Sequence, residues 1–178
     1  MINYARDKNI VSVTANYMAD TMQSELLKKT IWSNVSIVSY NIPLLATLSI
    51  FENITLPLQY FENIKRKDAE TIAYHLLKKY NLTKAMYLRP KRLNEFEHLI
   101  VKYLRAYIRK PEHIFFFLPH RMLITDDYSP FIKFIKEVKP ECHITVVENY
   151  RYLIEYKELE FKEIPYNSWQ TLVLKTLR

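Results

Sequence analysis

The feature that most constrains this chain is the complete absence of glycine from its 178 residues, where average usage is roughly 7%. Glycine alone reaches positive φ without a steric penalty, so we expect turns built from Asn, Asp, Ser, Pro or Lys and no use of that backbone freedom. Phosphate-cradling loops need glycine because consecutive backbone N–H groups must approach the phosphates without Cβ clashes. The sequence therefore excludes an ordinary P-loop and a Rossmann fingerprint.

The composition is that of a globular protein, with 49% hydrophobic and 25% charged residues. The length predicts one compact domain spanning residues 1–178, with a small helical insert. A lone Cys142 cannot form an internal disulfide, which favours a reducing compartment. The N-terminus is polar and no apolar run is long enough to span a membrane, so a cytoplasmic protein is expected.

The net charge is +7 and the sequence pI is about 9.3. Such a balance suits nucleic acid, anionic lipid or an acidic protein as a partner. Lysine is spread along the whole chain, however, so the sequence favours a solvated basic surface over a nucleic-acid site. The five histidines show no metal-ligand spacing, and neither a metal nor a cofactor is expected.

Apolar runs alternate with helical patterns along the chain. The strand candidates are Asn9–Thr14, Val35–Ser39, His113–Leu118 and Cys142–Glu148, with Leu159–Ile164 as an edge strand. The helix candidates are Thr21–Ile31, Lys67–Tyr80, Leu93–Arg109, Pro130–Lys139 and Ser168–Leu177, and Pro57 is expected to bend or restart a helix. This order predicts an α/β fold, a three-layer mostly parallel sheet with a helical subdomain over 48–92.

Two stretches carry a family resemblance. Residues 43–58, which include LSIFENI and LPL, resemble the segment after the Q-loop of ABC ATPases. Residues 104–111, LRAYIRKP, are similar to the family's ARALVRKP, and residues 93–97 stand where its signature lies. The resemblance covers roughly residues 9–150 and is strongest to the cell-division and lipid-asymmetry branches of bacterial ABC ATPases. It implies a truncated P-loop NTPase-like fold.

The family's chemical positions are matched by other residue types. By this resemblance Asp20 stands at the phosphate-binding Lys, Thr21 keeps the hydroxyl beside it, and Tyr40 stands at the Q-loop Gln. Asn94 and Glu95 fall in the signature. Phe117 matches the magnesium Asp, Leu118 the general-base Glu, and Asn149 (or Glu148, one register away) the switch His. Together these changes remove charge neutralisation, metal binding and water activation. The resemblance therefore predicts a pseudo-ATPase that is not an enzyme.

The same resemblance implies a partner. The family's groove beside the Q-loop receives a helix of the membrane permease, and the matching residues are Leu44, Leu45, Phe51, Glu52 and Asn53. We expect an open apolar patch there, although the same residues could instead fold the helical block. The expected partners are an ABC permease at the inner face of the cell membrane and a second cassette, the same or different, in lipid transport or cell division. The alternative is a soluble basic domain that binds nucleic acid or an acidic protein.

Overall fold

The computed structural model describes residues 11–15, 23, 24, 27, 34–124, 127–138, 142–157, 159 and 161–163. The chain divides into two compact units. The sheet unit consists of Met1–Tyr40 and Pro111–Arg178, and the helical unit is Asn41–Lys110. The helical unit is wider than the expected 48–92 because it also includes the helix Glu95–Tyr107.

The described strands are β1 (Val11–Ala15), β2 (Val35–Ser39), β3 (His113–Phe117), β4 (His143–Glu148) and β5 (Phe161–Glu163). The described α-helices are α1 (Ile50–Phe61), α2 (Arg66–Lys79), α3 (Glu95–Tyr107) and α4 (Ser129–Val138). The strands form one sheet in the order β2-β3-β4-β1-β5, and every pairing in it is parallel. The predicted α/β fold with a parallel sheet is confirmed, and β5 lies at the edge.

Strand β3 forms the centre of the sheet unit. All five of its residues are buried, as expected for a continuous apolar run between two parallel neighbours. Phe115 lies opposite Ile37 of β2 and Thr145 of β4. On the other face, the Phe116 ring contacts Phe131 and Phe134 of α4 at centroid distances of 5.7 and 6.3 Å.

Local signals fix the helix starts of the helical unit. Ser49 precedes α1 and forms a capping box with Glu52, and Asn94 does the same for α3 with Glu97. Helix α1 runs through Pro57, so the expectation that this proline restarts a helix is wrong. Pro57 removes one internal N–H, but the helix is held on both sides by the buried residues Ile54 and Leu58.

Positive φ is reached without glycine, which corrects the expectation from composition. Asn63, Asn81, Lys110 and Leu118 have φ values of 52, 57, 53 and 49°. Asparagine tolerates this region because its short polar side chain bonds locally. Asn81 closes α2: its N–H donates to the Lys78 carbonyl and the Leu82 N–H to the Leu77 carbonyl, the pattern of a Schellman motif.

Some predicted elements fall outside the described residues. Of Thr21–Ile31, only Gln23, Ser24 and Leu27 are described, and all three are helical. The predicted helix Ser168–Leu177 lies wholly outside them. Within the described part of the chain, no helix has the length and hydropathy needed to cross a membrane.

Candidate functional site

The carboxyl ends of three neighbouring strands bring polar side chains to one edge of the sheet unit. Tyr40 follows β2, His120 comes three residues after β3, and Glu148 is the last residue of β4. Because β2, β3 and β4 are parallel, these ends lie side by side, where open α/β sheets bind their ligands. We describe this group as the carboxyl-edge site.

Glu148 is the buried centre of the carboxyl-edge site, with no exposed surface. One carboxylate oxygen contacts Nδ1 of His120 and accepts a hydrogen bond from the Asn149 N–H at 2.7 Å. The other accepts from the Tyr156 hydroxyl at 3.2 Å. A buried carboxylate is costly unless it is paired and hydrogen-bonded, and Glu148 meets both conditions.

His120 is oriented by this carboxylate. Its Nδ1 contacts Glu148, and its ring stacks on Tyr152 with centroids 4.5 Å apart. Only 12% of the His120 side chain is exposed. A carboxylate on one ring nitrogen fixes the orientation of an imidazole.

Two tyrosines surround the pair and stay protonated. Burial, with the nearby Glu148 charge as the next cause, raises the pKa of Tyr156 well above its usual value. The same two causes raise the pKa of Tyr128, whose ring stacks with Tyr152 at 5.6 Å. Tyr156 therefore acts as a hydrogen-bond donor to Glu148 throughout the physiological pH range.

A cavity of about 610 Å³ opens beside His120. Its lining consists of Tyr40, His120, Arg121, Leu123, Ile124, Arg151 and Tyr152. The Arg151 guanidinium lies over the Tyr152 ring at 4.5 Å and bonds its hydroxyl. The carboxyl-edge site thus combines a carboxylate-oriented histidine with two arginines and two tyrosines around a space large enough for a small ligand.

The residues predicted from the family's nucleotide motifs are divided between the two units. Tyr40 is exposed on the cavity, Phe117 is fully buried in β3, and Asn149 caps the following 3-10 helix. Asn94 and Glu95 begin α3 in the helical unit, where Asn94 is the N-cap. Asp20 and Thr21 lie outside the described residues.

Leu118 turns the chain from β3 into the carboxyl-edge site. Its φ of 49° and ψ of 59° are left-handed, and its N–H donates to the Val147 carbonyl of β4 at 2.8 Å. A bulky residue in this region carries strain, which proteins concentrate at functional sites. This turn places Pro119 and His120 beside Glu148.

The residues predicted to dock on a permease all belong to the helical unit. Leu44, Phe51 and Asn53 are buried, so the expectation of an open patch that includes Leu44 and Phe51 is wrong. The Asn53 side chain bonds the Leu45 backbone in both directions, with its oxygen 2.7 Å from the Leu45 nitrogen, and therefore holds the loop before α1. Leu45 is 45% exposed and Glu52 is half-buried, so these two remain accessible.

The sequence motifs missed the pairing of His120 with Glu148. Glu148 ends the apolar run ITVVE and His120 comes shortly after the apolar run FFF, and that position is the signal that could have found them. The family resemblance relates Glu148 only to the switch histidine, one register away. A match made position by position carries no information on its contact with a residue 28 positions away.

Comparisons with known proteins come from sequence and from structure. No family model matches the chain. The lipoprotein-releasing system ATP-binding protein LolD of Buchnera aphidicola subsp. Acyrthosiphon pisum (strain APS) is 32% identical over 104 residues, which are 58% of this chain and 45% of that protein. The matched part is thus less than half the length of that relative.

Among solved structures, the dimeric bacterial ABC transporter cassette MJ0796 matches with a TM-score of 0.65 at 17% identity, covering 92% of this chain and 84% of that one. The cbiO1 protein of Clostridium perfringens, part of the ABC transporter complex cbiONQ, matches with a TM-score of 0.64 at 9% identity over 80% of this chain and 67% of that one. The chain has the fold of an ABC transporter cassette. Its sequence is similar to that of LolD over the 104 matched residues.

The prediction that the cassette is not an enzyme is contradicted by these findings. LolD is an ATP-binding protein, and MJ0796 has also been solved in a post-hydrolysis state with ADP and phosphate, at a TM-score of 0.61 to this cassette. The prediction rests on the side chains that replace the family's motifs and on the absence of glycine. The structure brings a carboxylate, Glu148, to the same edge of the sheet from the neighbouring strand.

Proposed function

We propose that this cassette is the subunit of an ABC-type transporter that docks on the membrane-embedded permease. The observation that carries the proposal is the cassette fold, found together with an accessible surface at the start of α1. In this proposal the chain is cytoplasmic, works at the inner face of the cell membrane, and pairs with a second cassette, as the dimeric MJ0796 does. The name of LolD supports a lipid-linked cargo; the sequence resemblance adds cell division as a second possible setting.

The docking surface consists of Leu45, Glu52, Tyr87, Leu88 and Arg89. Tyr87 is 75% exposed, and the edge of its ring packs on Phe51 at a centroid distance of 6.2 Å. Arg89 contacts the Thr47 carbonyl and lies 3.7 Å from the Glu52 carboxylate. Exposed apolar side chains rimmed by charge are typical of a partner surface.

The backbone of the docking surface is rigid. The Ile50 N–H donates to the Leu88 carbonyl and the Phe51 N–H to the Met86 carbonyl, both at 2.9 Å. These two backbone N–H groups belong to the first turn of α1, where the helix itself provides no acceptor for them. A surface held in this way loses little conformational entropy when a partner binds.

The carboxyl-edge site is, in this proposal, where the cassette meets its small ligand. The cavity offers arginines and an oriented histidine, and the nucleotide in the names of LolD and MJ0796 is the first ligand to test. Calorimetric titration with ATP and with ADP, on the natural chain and on His120→Gln, measures whether the cavity takes part. Equal affinity for both proteins would remove His120 from the ligand site.

Docking is tested by co-expressing the chain with the permease subunits encoded nearest to it and purifying the complex through the permease. Leu45→Ser combined with Glu52→Gln should reduce the co-purified cassette about tenfold, since loss of one interface anchor costs about 1.4 kcal/mol or more. The matched control is Ile72→Ser, an exposed apolar residue of α2 outside the docking surface. If the amount of co-purified cassette fell equally in both variants, or in neither, docking at this surface would be refuted.

A further inference from the structure

The net charge of the chain is confined to one of its two units. The helical unit contains 13 Lys and Arg against 6 Asp and Glu, which gives it +7. The remaining residues contain 13 of each sign, so the rest of the chain is neutral. Lysine is spread along the sequence, as expected, but the acidic residues are not. The basic character is therefore a property of the helical unit and points to a partner for that unit.

Within the helical unit, residues 71–94 contain no acidic residue. We call this stretch the basic segment. Its six cationic side chains are all exposed: Lys78, Lys79, Lys84, Arg89, Lys91 and Arg92. Neighbouring like charges repel one another, so such a segment is stabilised by an anionic partner.

The fold holds the basic segment in a defined shape. It comprises the end of α2, two 3-10 turns (Thr83–Ala85 and Pro90–Arg92) and the short link between them, whose Met86 and Leu88 carbonyls accept hydrogen bonds from the start of α1. Tyr87, which is 75% exposed, and Leu88, which is 43% exposed, lie in this link between Lys84 and Arg89 of the sequence. The surface is thus both basic and apolar.

We propose that the basic segment binds the anionic phospholipid surface of a membrane. Lysine and arginine near such a surface are attracted to its negative potential, and tyrosine and leucine gain by entering the interfacial region. The phosphates of a nucleic acid would also pair with the cationic side chains, but a nucleic acid offers no apolar environment for the exposed Leu88. The basic segment shares Tyr87, Leu88 and Arg89 with the docking surface. The proposal goes beyond permease docking, because it predicts membrane binding with no permease present.

The test measures partition of the purified full chain onto phosphatidylcholine vesicles with and without phosphatidylserine, at physiological salt. The test variant is Lys84→Gln, Lys91→Gln, Arg92→Gln. The matched control removes three exposed charges from the sheet unit, as Lys133→Gln, Lys136→Gln, Lys157→Gln. Each cation contributes about fivefold to binding near the surface, so the test variant should lose about a hundredfold on anionic vesicles, and the control only a few-fold.

Four results would overturn the proposal. They are no binding of the natural chain to anionic vesicles, equal binding to vesicles without phosphatidylserine, equal losses in the two triple variants, and an unchanged affinity of Leu88→Ser for anionic vesicles. A duplex DNA oligonucleotide run in parallel identifies the other class of partner. Binding to DNA that depends on Lys84, Lys91 and Arg92, with none to vesicles, would assign the basic segment to nucleic acid.

Discussion

At the scale of single residues, Glu148 links the fold to the candidate site. It ends the buried strand β4, yet its side chain carries a charge that is satisfied only by groups from three directions: His120, the Asn149 backbone and Tyr156. Because this buried carboxylate has so many partners, a single substitution at Glu148 should have a large effect on the stability of the fold.

Replacing Glu148 by Ala should lower the free energy of unfolding by about 3 kcal/mol, because it leaves buried donors unpaired and opens space in the core. Tyr156→Phe is the matched control, since it removes a single donor and should cost about 1 kcal/mol. Urea unfolding followed by circular dichroism measures both. A smaller loss for Glu148→Ala than for Tyr156→Phe would contradict the central place given to this carboxylate.

His113 gives the chain a pH dependence that can be assigned. Burial lowers its pKa to about 3, and its Nε2 lies 2.8 Å from the Thr145 hydroxyl. The unfolded chain binds a proton near pH 6.5 while the folded chain does not, so stability is complete above that pH and falls as pH decreases toward 3. Between pH 6.5 and 5 the loss should be about 2 kcal/mol.

The free energy of unfolding, measured at pH 7 and pH 5 for the natural chain and for His113→Gln, isolates this effect. The free energy of unfolding of the variant should depend less on pH, because glutamine does not titrate. His98, whose pKa is also lowered by burial, remains in both proteins and cancels in the difference. Identical pH profiles would show that His113 is not the responsible group.

At the scale of elements, the turn after α3 offers a direct test of strain. Lys110 is exposed and has a φ of 53°, a region where a side chain costs about 1–2 kcal/mol. Lys110→Gly should stabilise the chain by about 0.5 kcal/mol, since glycine removes the strain but makes the unfolded chain freer. Lys78→Gly, within α2, should instead destabilise by about 1 kcal/mol. A shift of the melting temperature in the same direction for both variants would contradict this account.

The elements could be predicted from the sequence because their signals are local. The run HIFFFL gave β3, and the motifs Ser49 to Glu52 and Asn94 to Glu97 mark two helix starts. The environment of an apolar residue is not a local property. Leu44 and Leu45 are adjacent in sequence and identical in type, yet one is buried and the other exposed. The sequence can therefore suggest a docking region but cannot tell which of its residues are accessible.

At the scale of the whole molecule, the candidate site depends on which strands are neighbours. His120 and Glu148 are 28 residues apart and meet only because β3 and β4 are adjacent and parallel. A comparison of motifs one position at a time does not contain this information. The charge of the helical unit was missed for a related reason, since a net charge for the whole chain conceals how it is divided.

The order of the strands also affects when the sheet can form during synthesis of the chain. Three of the four described strand pairings join strands far apart in sequence: Val35 of β2 pairs with His113, and Val11 of β1 pairs with Ile144 and Phe161. During synthesis, β1 leaves the ribosome more than 130 residues before its first partner exists. The helical unit, by contrast, is continuous in sequence and rich in local contacts, which form fast. The early part of the sheet must therefore wait unpaired while the helical unit folds, and this interval is when the nascent chain most needs protection from aggregation.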